Sequence, residues 1–145
     1  MKKTTILALL LFAALPLLPA NDAEPFGPKP EWISICDDVT ATIYHAVPSQ
    51  CNADVTHTAS MKTIDPSRAG EYRILAMERT MMARYGISYG DTVLVTGTQS
   101  LDGKWVVEDT MNKRFAGMNK IDLLVDKSQR YGKWEGVTVS IKNKH

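Results

Sequence analysis

Short apolar runs rich in β-branched residues recur along the chain and are separated by turn residues. Several of them alternate apolar and polar positions, as strands with one buried face do. An Asp-Gly pair at 102–103 stands between two of the runs, which is a strong signal for a hairpin. Because closing a sheet removes its exposed edges, we expect a closed or nearly closed barrel. The runs predict six strands, at 39–44, 72–77, 92–96, 105–107, 121–125 and 137–141.

Two short segments have helical character. Residues 78–85 place several methionines on one face, which is more typical of core packing than of a ligand site, and Gly86 suits the C-terminal cap. Residues 127–131 are a second candidate, with Asp126 placed to cap the start and Gly132 to end it. The whole pattern predicts a mainly β fold with one or two short helices.

The N-terminal segment differs from the rest of the chain. Lys2 and Lys3 precede an apolar run at 6–18, and small residues follow it. This order is typical of a secretory signal peptide, and the run is shorter than the roughly 20 residues of a membrane span. Cleavage after Ala20 or Ala23 is compatible with the pattern. We therefore expect a periplasmic or secreted protein with a signal peptide over 1–23, a Pro-rich linker over 24–38 and a β domain over 39–141.

The chain has two cysteines, Cys36 and Cys51. An oxidising compartment favours a disulfide between them, which would fix the first part of the polar loop predicted over 45–70. Two buried free thiols are the alternative. The cysteines do not have the paired spacing of a zinc site, and we predict no metal and no cofactor.

Composition narrows the possible partners. Hydrophobic residues make up 44% and charged residues 23% of the chain, as in globular proteins. The net charge of +1 gives no reason to expect nucleic acid or an anionic membrane surface as a partner. After removal of the signal peptide we expect no membrane span.

Six segments follow one another in a specific order: TATIYHAVPSQC, TASMKTID, ILAMERT, YGDTVLV, DGKWVVEDTMNKR and KIDLLVD. Their order resembles the RlpA-like and 3D-domain proteins over roughly residues 39–141. That resemblance implies a six-stranded double-psi β-barrel. Two positions depart from the family pattern, since Met61 and Met111 stand where glycine is usual.

Catalytic members of this family cleave the glycan strands of peptidoglycan. The resemblance implies that Asp109, at the end of an apolar strand, is the general acid and base of a lytic transglycosylase, a reaction that needs one carboxyl group. Asp122 is the candidate second carboxylate and Glu78 the third. On the residues alone, an aspartate after a strand more often orders a turn by accepting backbone N–H groups.

Three further residues are candidate contacts to a sugar chain. Tyr44 matches an aromatic position of the family pattern, and Tyr89 has a ring on which a sugar could stack. Arg114 has the charge to bind a carboxylate. Their alternative roles are core packing for the rings, which also applies to Trp105 and Trp134, and a solvated surface position for the cation.

Three classes of function are compatible with this pattern. The first is an exported enzyme acting on peptidoglycan or another glycan strand. The second is a non-catalytic barrel that binds such a strand or another envelope protein, and an exported inhibitor or effector is a third possibility.

Overall fold

The computed structural model describes residues 13–14 and 27–144. The expected signal peptide over 1–23 and the start of the linker therefore lie outside the described residues, apart from residues 13–14. In the part of the chain that is described, no helix has the length and apolar character needed to cross a membrane.

Six strands form a closed barrel, which confirms the mainly β prediction. Around the barrel their order is β1-β5-β2-β4-β3-β6. The pairs β1–β5 and β2–β4 are parallel, and the other four pairs are antiparallel. The strands are β1 (Trp32–Tyr44), β2 (Ile74–Met77), β3 (Thr92–Thr96), β4 (Gly103–Thr110), β5 (Lys120–Leu124) and β6 (Lys133–Lys142).

One short α-helix and three 3-10 turns connect the strands. Helix α1 covers Arg79–Tyr85, begins after Glu78 and ends at Gly86, whose φ of 64° is readily adopted by glycine. The first predicted helix is therefore confirmed. The 3-10 turns are Pro66–Tyr72, Gln99–Leu101 and Lys113–Phe115.

Strand β1 begins at Trp32, not at the predicted Val39, so the second half of the expected linker belongs to the barrel. It pairs with β6 from Trp32 opposite Lys142 onward, with three register shifts along the pair. Each shift interrupts the alternation of inward and outward side chains. This is why the strand pattern was not visible in the sequence before Val39.

The helix predicted over 127–131 is wrong, because this segment forms a turn. Asp126 does not act as a helix cap. Its carboxylate accepts a hydrogen bond from the backbone N–H of Gly70 at 2.8 Å, and its backbone carbonyl accepts from Gln129 N at 3.0 Å. The aspartate therefore ties the turn after β5 to the segment before β2.

Two hydrophobic clusters lie on opposite sides of the barrel wall. Alternate residues of β2 and β5 contribute to each, as the two faces of a strand require. The interior cluster includes Val39, Ala41, Leu75, Met77, Val93, Val95, Trp105, Val107, Ile121 and Leu123. The outer cluster comprises Tyr44, Ala46, Ile64, Ala69, Ile74, Ala76, Met111 and Leu124.

The expected disulfide between Cys36 and Cys51 is not present in the structure, in which both thiols are free. Cys36 lies on β1 and packs against the interior cluster, whereas Cys51 packs against the outer cluster. The Cys51 thiol instead donates to the carbonyl of His45 at 3.3 Å. The barrel wall thus separates two residues that are close in sequence.

Candidate functional site

Four residues from neighbouring strands lie in one row across the outer face of the barrel. In the order β1, β5, β2 and β4 they are Thr42, Asp122, Ala76 and Asp109. Adjacent strands are about 4.8 Å apart, so roughly 10 Å separates the backbones of the two aspartates. Only the methyl group of Ala76 stands between the aspartates in this row.

A register shift between β2 and β4 brings Asp109 to this row. Leu75 pairs with Val107, but the next residue, Ala76, pairs with Asp109, so Glu108 is one extra residue in β4. Strict alternation from Val107 would direct Asp109 toward the barrel interior. The extra residue reverses this alternation and places Asp109 opposite Ala76, on the face that carries Asp122.

The carboxyl group of Asp109 has three hydrogen-bond donors. The backbone N–H groups of Thr110 and Ala59 donate to Oδ1 at 2.9 and 3.2 Å, and the Tyr44 hydroxyl donates to Oδ2 at 3.2 Å. Burial raises the pKa of Asp109 above its usual value, although these hydrogen bonds act in the opposite direction. The group is therefore held in one orientation and retains a proton to higher pH than a solvated aspartate does.

Asp122 lies between inward-facing neighbours on β5 and faces the groove. Burial raises its pKa to about 6, and the negative charge of Asp109 adds to that rise. A hydrogen bond from the Thr42 hydroxyl at 2.9 Å and the positive charge of Lys120 act against it. Two carboxyl groups with raised pKa values thus share one surface, which is the arrangement expected of groups that exchange protons.

Tyr44 connects the acidic pair to the outer cluster. Burial and the charge of Asp109 raise the pKa of Tyr44 well above its usual value, so the phenol stays protonated. A neutral hydroxyl can donate or accept a hydrogen bond. Tyr44 can consequently donate to the Asp109 carboxylate and accept from the Asp109 carboxylic acid.

These side chains lie in a groove with a volume of about 800 Å³. Its other walls come from the loop after β1, from the start of α1 and from the segment between β4 and β5. The lining includes Tyr44, Ser49, Gln50, Asn52, Ala59, Ala76, Arg79, Asp109, Thr110, Asn112, Lys113, Arg114, Phe115, Lys120 and Asp122.

Glu78 is a helix cap and does not join the acidic pair. Its fully buried side chain accepts from the backbone N–H groups of Thr80 at 2.6 Å and Met81 at 3.1 Å, and also from the Thr80 hydroxyl. Burial acts to raise the pKa of Glu78, but these hydrogen bonds outweigh it and lower the pKa. An ionised, fully bonded carboxylate stabilises the first turn of α1, and the groove lining does not include it.

The predicted sugar-binding residues have different positions. Tyr44 and Arg114 line the groove, whereas Tyr89 lies outside its lining and donates to the Thr110 hydroxyl at 3.4 Å. Trp105 is a buried core residue, and Trp134 packs against the interior cluster. Neither tryptophan lines the groove, so its aromatic surface comes from Tyr44 and Phe115.

The sequence pattern did not single out Arg79, Lys120, Ala76 or Phe115. Lys120 stands two residues before Asp122 on β5, and positions two apart on a strand share a face. That spacing would have identified Lys120 as a neighbour of the aspartate. No comparable signal existed for Arg79, because the fold alone brings the start of α1 to the groove.

Comparison with protein-family models finds no match to this chain, and comparison with curated proteins finds none either.

Proposed function

We propose that this chain is an exported, cell-wall-associated protein that cleaves peptidoglycan glycan strands as a lytic transglycosylase. The observation that carries the proposal is the pair Asp109 and Asp122, two partly buried carboxyl groups with raised pKa values in one groove. A raised pKa keeps a carboxyl group able to donate a proton near neutral pH. The resemblance of residues 39–141 to the RlpA-like and 3D-domain proteins supplies the substrate class.

In the proposed reaction, Asp109 acts first as acid and then as base. It donates its proton to the glycosidic oxygen as the bond from that oxygen to the anomeric carbon breaks. A hydroxyl of the same sugar then attacks the anomeric carbon and gives its proton to the Asp109 carboxylate, which restores the starting state. Tyr44 can bond to Oδ2 in both protonation states, so neither leaves a buried group without a partner.

Asp122 supports this cycle through its charge. When ionised, it places a negative charge on the groove floor, where positive charge develops on the sugar ring in the transition state. The negative charge of Asp109 raises the pKa of Asp122, and repulsion between two such carboxylates favours a state in which one of the pair keeps a proton. Asp122 is accordingly an electrostatic partner in the proposal, and Asp109 is the group that transfers the proton.

The fold and the N-terminal sequence support the remaining parts of the proposal. A closed barrel that combines two parallel pairs, β1–β5 and β2–β4, with antiparallel pairs is compatible with the double-psi topology that the resemblance implies. Export rests on the basic and apolar order of residues 2–18. Intact-mass measurement of the protein from the cell envelope should show loss of about 20–23 residues if that segment is a cleaved signal.

Mass spectrometry of glycan strands incubated with the mature protein tests the catalytic proposal. We expect strands ending in anhydro-sugars with the wild type and a loss of activity of about 100-fold or more with Asp109→Asn. Asp37→Asn is the matched control, because Asp37 is exposed and bonds only to Ser34 within the described residues. Unchanged cleavage by Asp109→Asn would contradict the assignment, and reducing ends in place of anhydro ends would indicate a hydrolase.

A second candidate function is a non-catalytic barrel that binds a glycan strand or an envelope protein. The observation in its favour is that Asp109 Oδ1 accepts from two backbone N–H groups, of Ala59 and Thr110, as a carboxylate that orders a loop does. Under this alternative, strands remain intact but co-sediment with the protein, and Asp109→Asn lowers the melting temperature strongly.

A further inference from the structure

Four cations line one wall of the groove, which we name the basic wall. Arg79 is the first residue of α1, Lys113 and Arg114 belong to the 3-10 turn before β5, and Lys120 is the first residue of β5. Elements distant in sequence therefore bring the four charges to one surface. Such a concentration contrasts with the net charge of +1 for the whole chain.

Among the residues that the structure describes, no carboxylate forms an ion pair with the basic wall, although the charge of Lys120 acts on Asp122. The ion pairs found there join His57 to Asp54, Lys62 to Glu108, Arg68 to Glu71 and Lys133 to Glu135. Three cations of the wall are exposed and Lys120 is partly exposed, so a ligand in the groove can reach them. Like charges placed together favour the binding of an anion that reduces their repulsion.

Phe115 holds two of these cations on its ring. The guanidinium carbon of Arg114 lies 4.7 Å from the ring centroid, and the Lys120 ammonium lies 4.4 Å from it. Cation–π contacts of this kind restrict long side chains that would otherwise move freely in water. One of these two cations is a planar guanidinium, which has the geometry to bind a carboxylate through two parallel hydrogen bonds.

The groove floor has the opposite charge. Asp109 and Asp122 repel an anion placed directly above them once they are ionised, whereas the basic wall attracts it. A chain with a negative charge on every unit would place one of those charges over the floor. A glycan in which an uncharged sugar alternates with a carboxylate-bearing sugar avoids this conflict.

We propose that the basic wall is a subsite for the carboxylate of an acidic glycan whose charged and uncharged sugars alternate. This inference rests on the proposed function, because the same glycan strand occupies the groove. The carboxylate binds Arg114 and Lys120 beside Phe115, and the neighbouring uncharged sugar lies over Asp109 and Asp122. The wall thereby determines which glycosidic bond reaches Asp109.

Binding measurements with matched glycans and matched variants test the subsite. Two probes have a carboxylate on alternate sugars: peptidoglycan strands freed of peptides, with lactyl carboxylates, and hyaluronan oligosaccharides, with ring carboxylates. Each is compared with a form whose carboxyl groups are converted to methyl amides. The groove variant is R79Q/R114Q/K120Q, and the control is K127Q/R130Q/K144Q, which removes the same charge from residues outside the groove lining.

We expect the wild type to bind at least one free acid about 10-fold more tightly than its amide, because charge-assisted hydrogen bonds are the strongest that side chains form. The groove variant should lose that preference, and the control should keep it. The probe that shows the preference distinguishes a lactyl from a ring carboxylate. Equal binding of acid and amide by the wild type, or equal loss in the control variant, would overturn the subsite.

Two further measurements keep the outcomes separable. If the groove variant does not fold by circular dichroism, the exposed pair K113Q/R114Q replaces it, and a preference undiminished in that pair overturns the proposal. Cleavage of the strands is followed by mass spectrometry in parallel. Intact strands after incubation with a wild type that still prefers the acid would contradict the proposed enzyme. Equal cleavage of the acid and the amide forms by the wild type would contradict only the subsite.

Discussion

Replacing Asp122 by asparagine should stabilise the protein at neutral pH. The pKa of Asp122 rises from its usual 3.8 to about 6 in the folded protein, mainly through burial. Between these two values the folded state holds a proton that the unfolded state has lost, so the free energy of unfolding falls as the pH rises through this window. Above about pH 6 the full cost of the buried charge is present. Asparagine removes that charge and keeps an acceptor for Thr42.

The size of the stabilisation by Asp122→Asn follows from the raised pKa of Asp122. Each unit of pKa difference corresponds to about 1.4 kcal/mol. The raised pKa of Asp122 therefore limits the increase in the free energy of unfolding that Asp122→Asn can give at pH 7 to about 3 kcal/mol. Water at the groove mouth screens part of the charge, and we expect about 1–3 kcal/mol. Below about pH 4 the aspartate is protonated in both states, and the advantage of the variant should disappear.

Urea denaturation of the wild type and Asp122→Asn between about pH 4 and pH 8 measures this difference. Asp65→Asn is a control of opposite sign, because hydrogen bonds from Ser67 lower the pKa of Asp65. The stability that Asp65 contributes is present above its unfolded pKa and is lost as the pH falls. Asp65→Asn should therefore lower the free energy of unfolding more at pH 7 than at low pH. A destabilisation by Asp122→Asn that is the same at every pH would refute the reasoning.

Three further predictions concern the scaffold. Glu78→Ala should lower the free energy of unfolding by about 1–2 kcal/mol in urea, because it removes the acceptor at the start of α1; an unchanged midpoint would contradict the capping role. Gly132→Ala should cost about 1–3 kcal/mol in the same assay, since the new methyl group would lie 2.5 Å from the Trp134 ring, and a neutral result would show that the ring can move. Thiol labelling under denaturing, non-reducing conditions should modify both Cys36 and Cys51, whereas an unlabelled chain would show that they are bonded to each other.

Much of the barrel was predictable because local signals agree with it. Strand β3 has the predicted bounds, and the Asp-Gly pair at 102–103 joins it to β4 as an antiparallel partner. Helix α1 follows its methionine stripe and ends at Gly86 as predicted. In these segments the periodicity, the turn residues and the final packing all favour the same structure.

The acidic site was predictable only in part. Asp109 and Asp122 were identified, and the structure places both in one groove, but the position of Asp109 depends on the extra residue at Glu108. Simple alternation along β4 gives the opposite face for that side chain. The cations of the basic wall meet through contacts between distant segments, and a pattern within one segment does not contain such contacts.

The extra residue at Glu108 also determines how relatives of this chain should be compared. A homologue one residue shorter at this point would have its aspartate directly after the residue that matches Val107, where ordinary alternation already places it opposite Ala76 on the groove face. An alignment without a gap would match that aspartate to Glu108 and score the acid as lost although the groove had kept it. The length of β4 should therefore be compared before the acid of a relative is judged absent, and deletion of Glu108 should leave Asp109 on the groove face while it removes the carbonyl that accepts from Ser60 N.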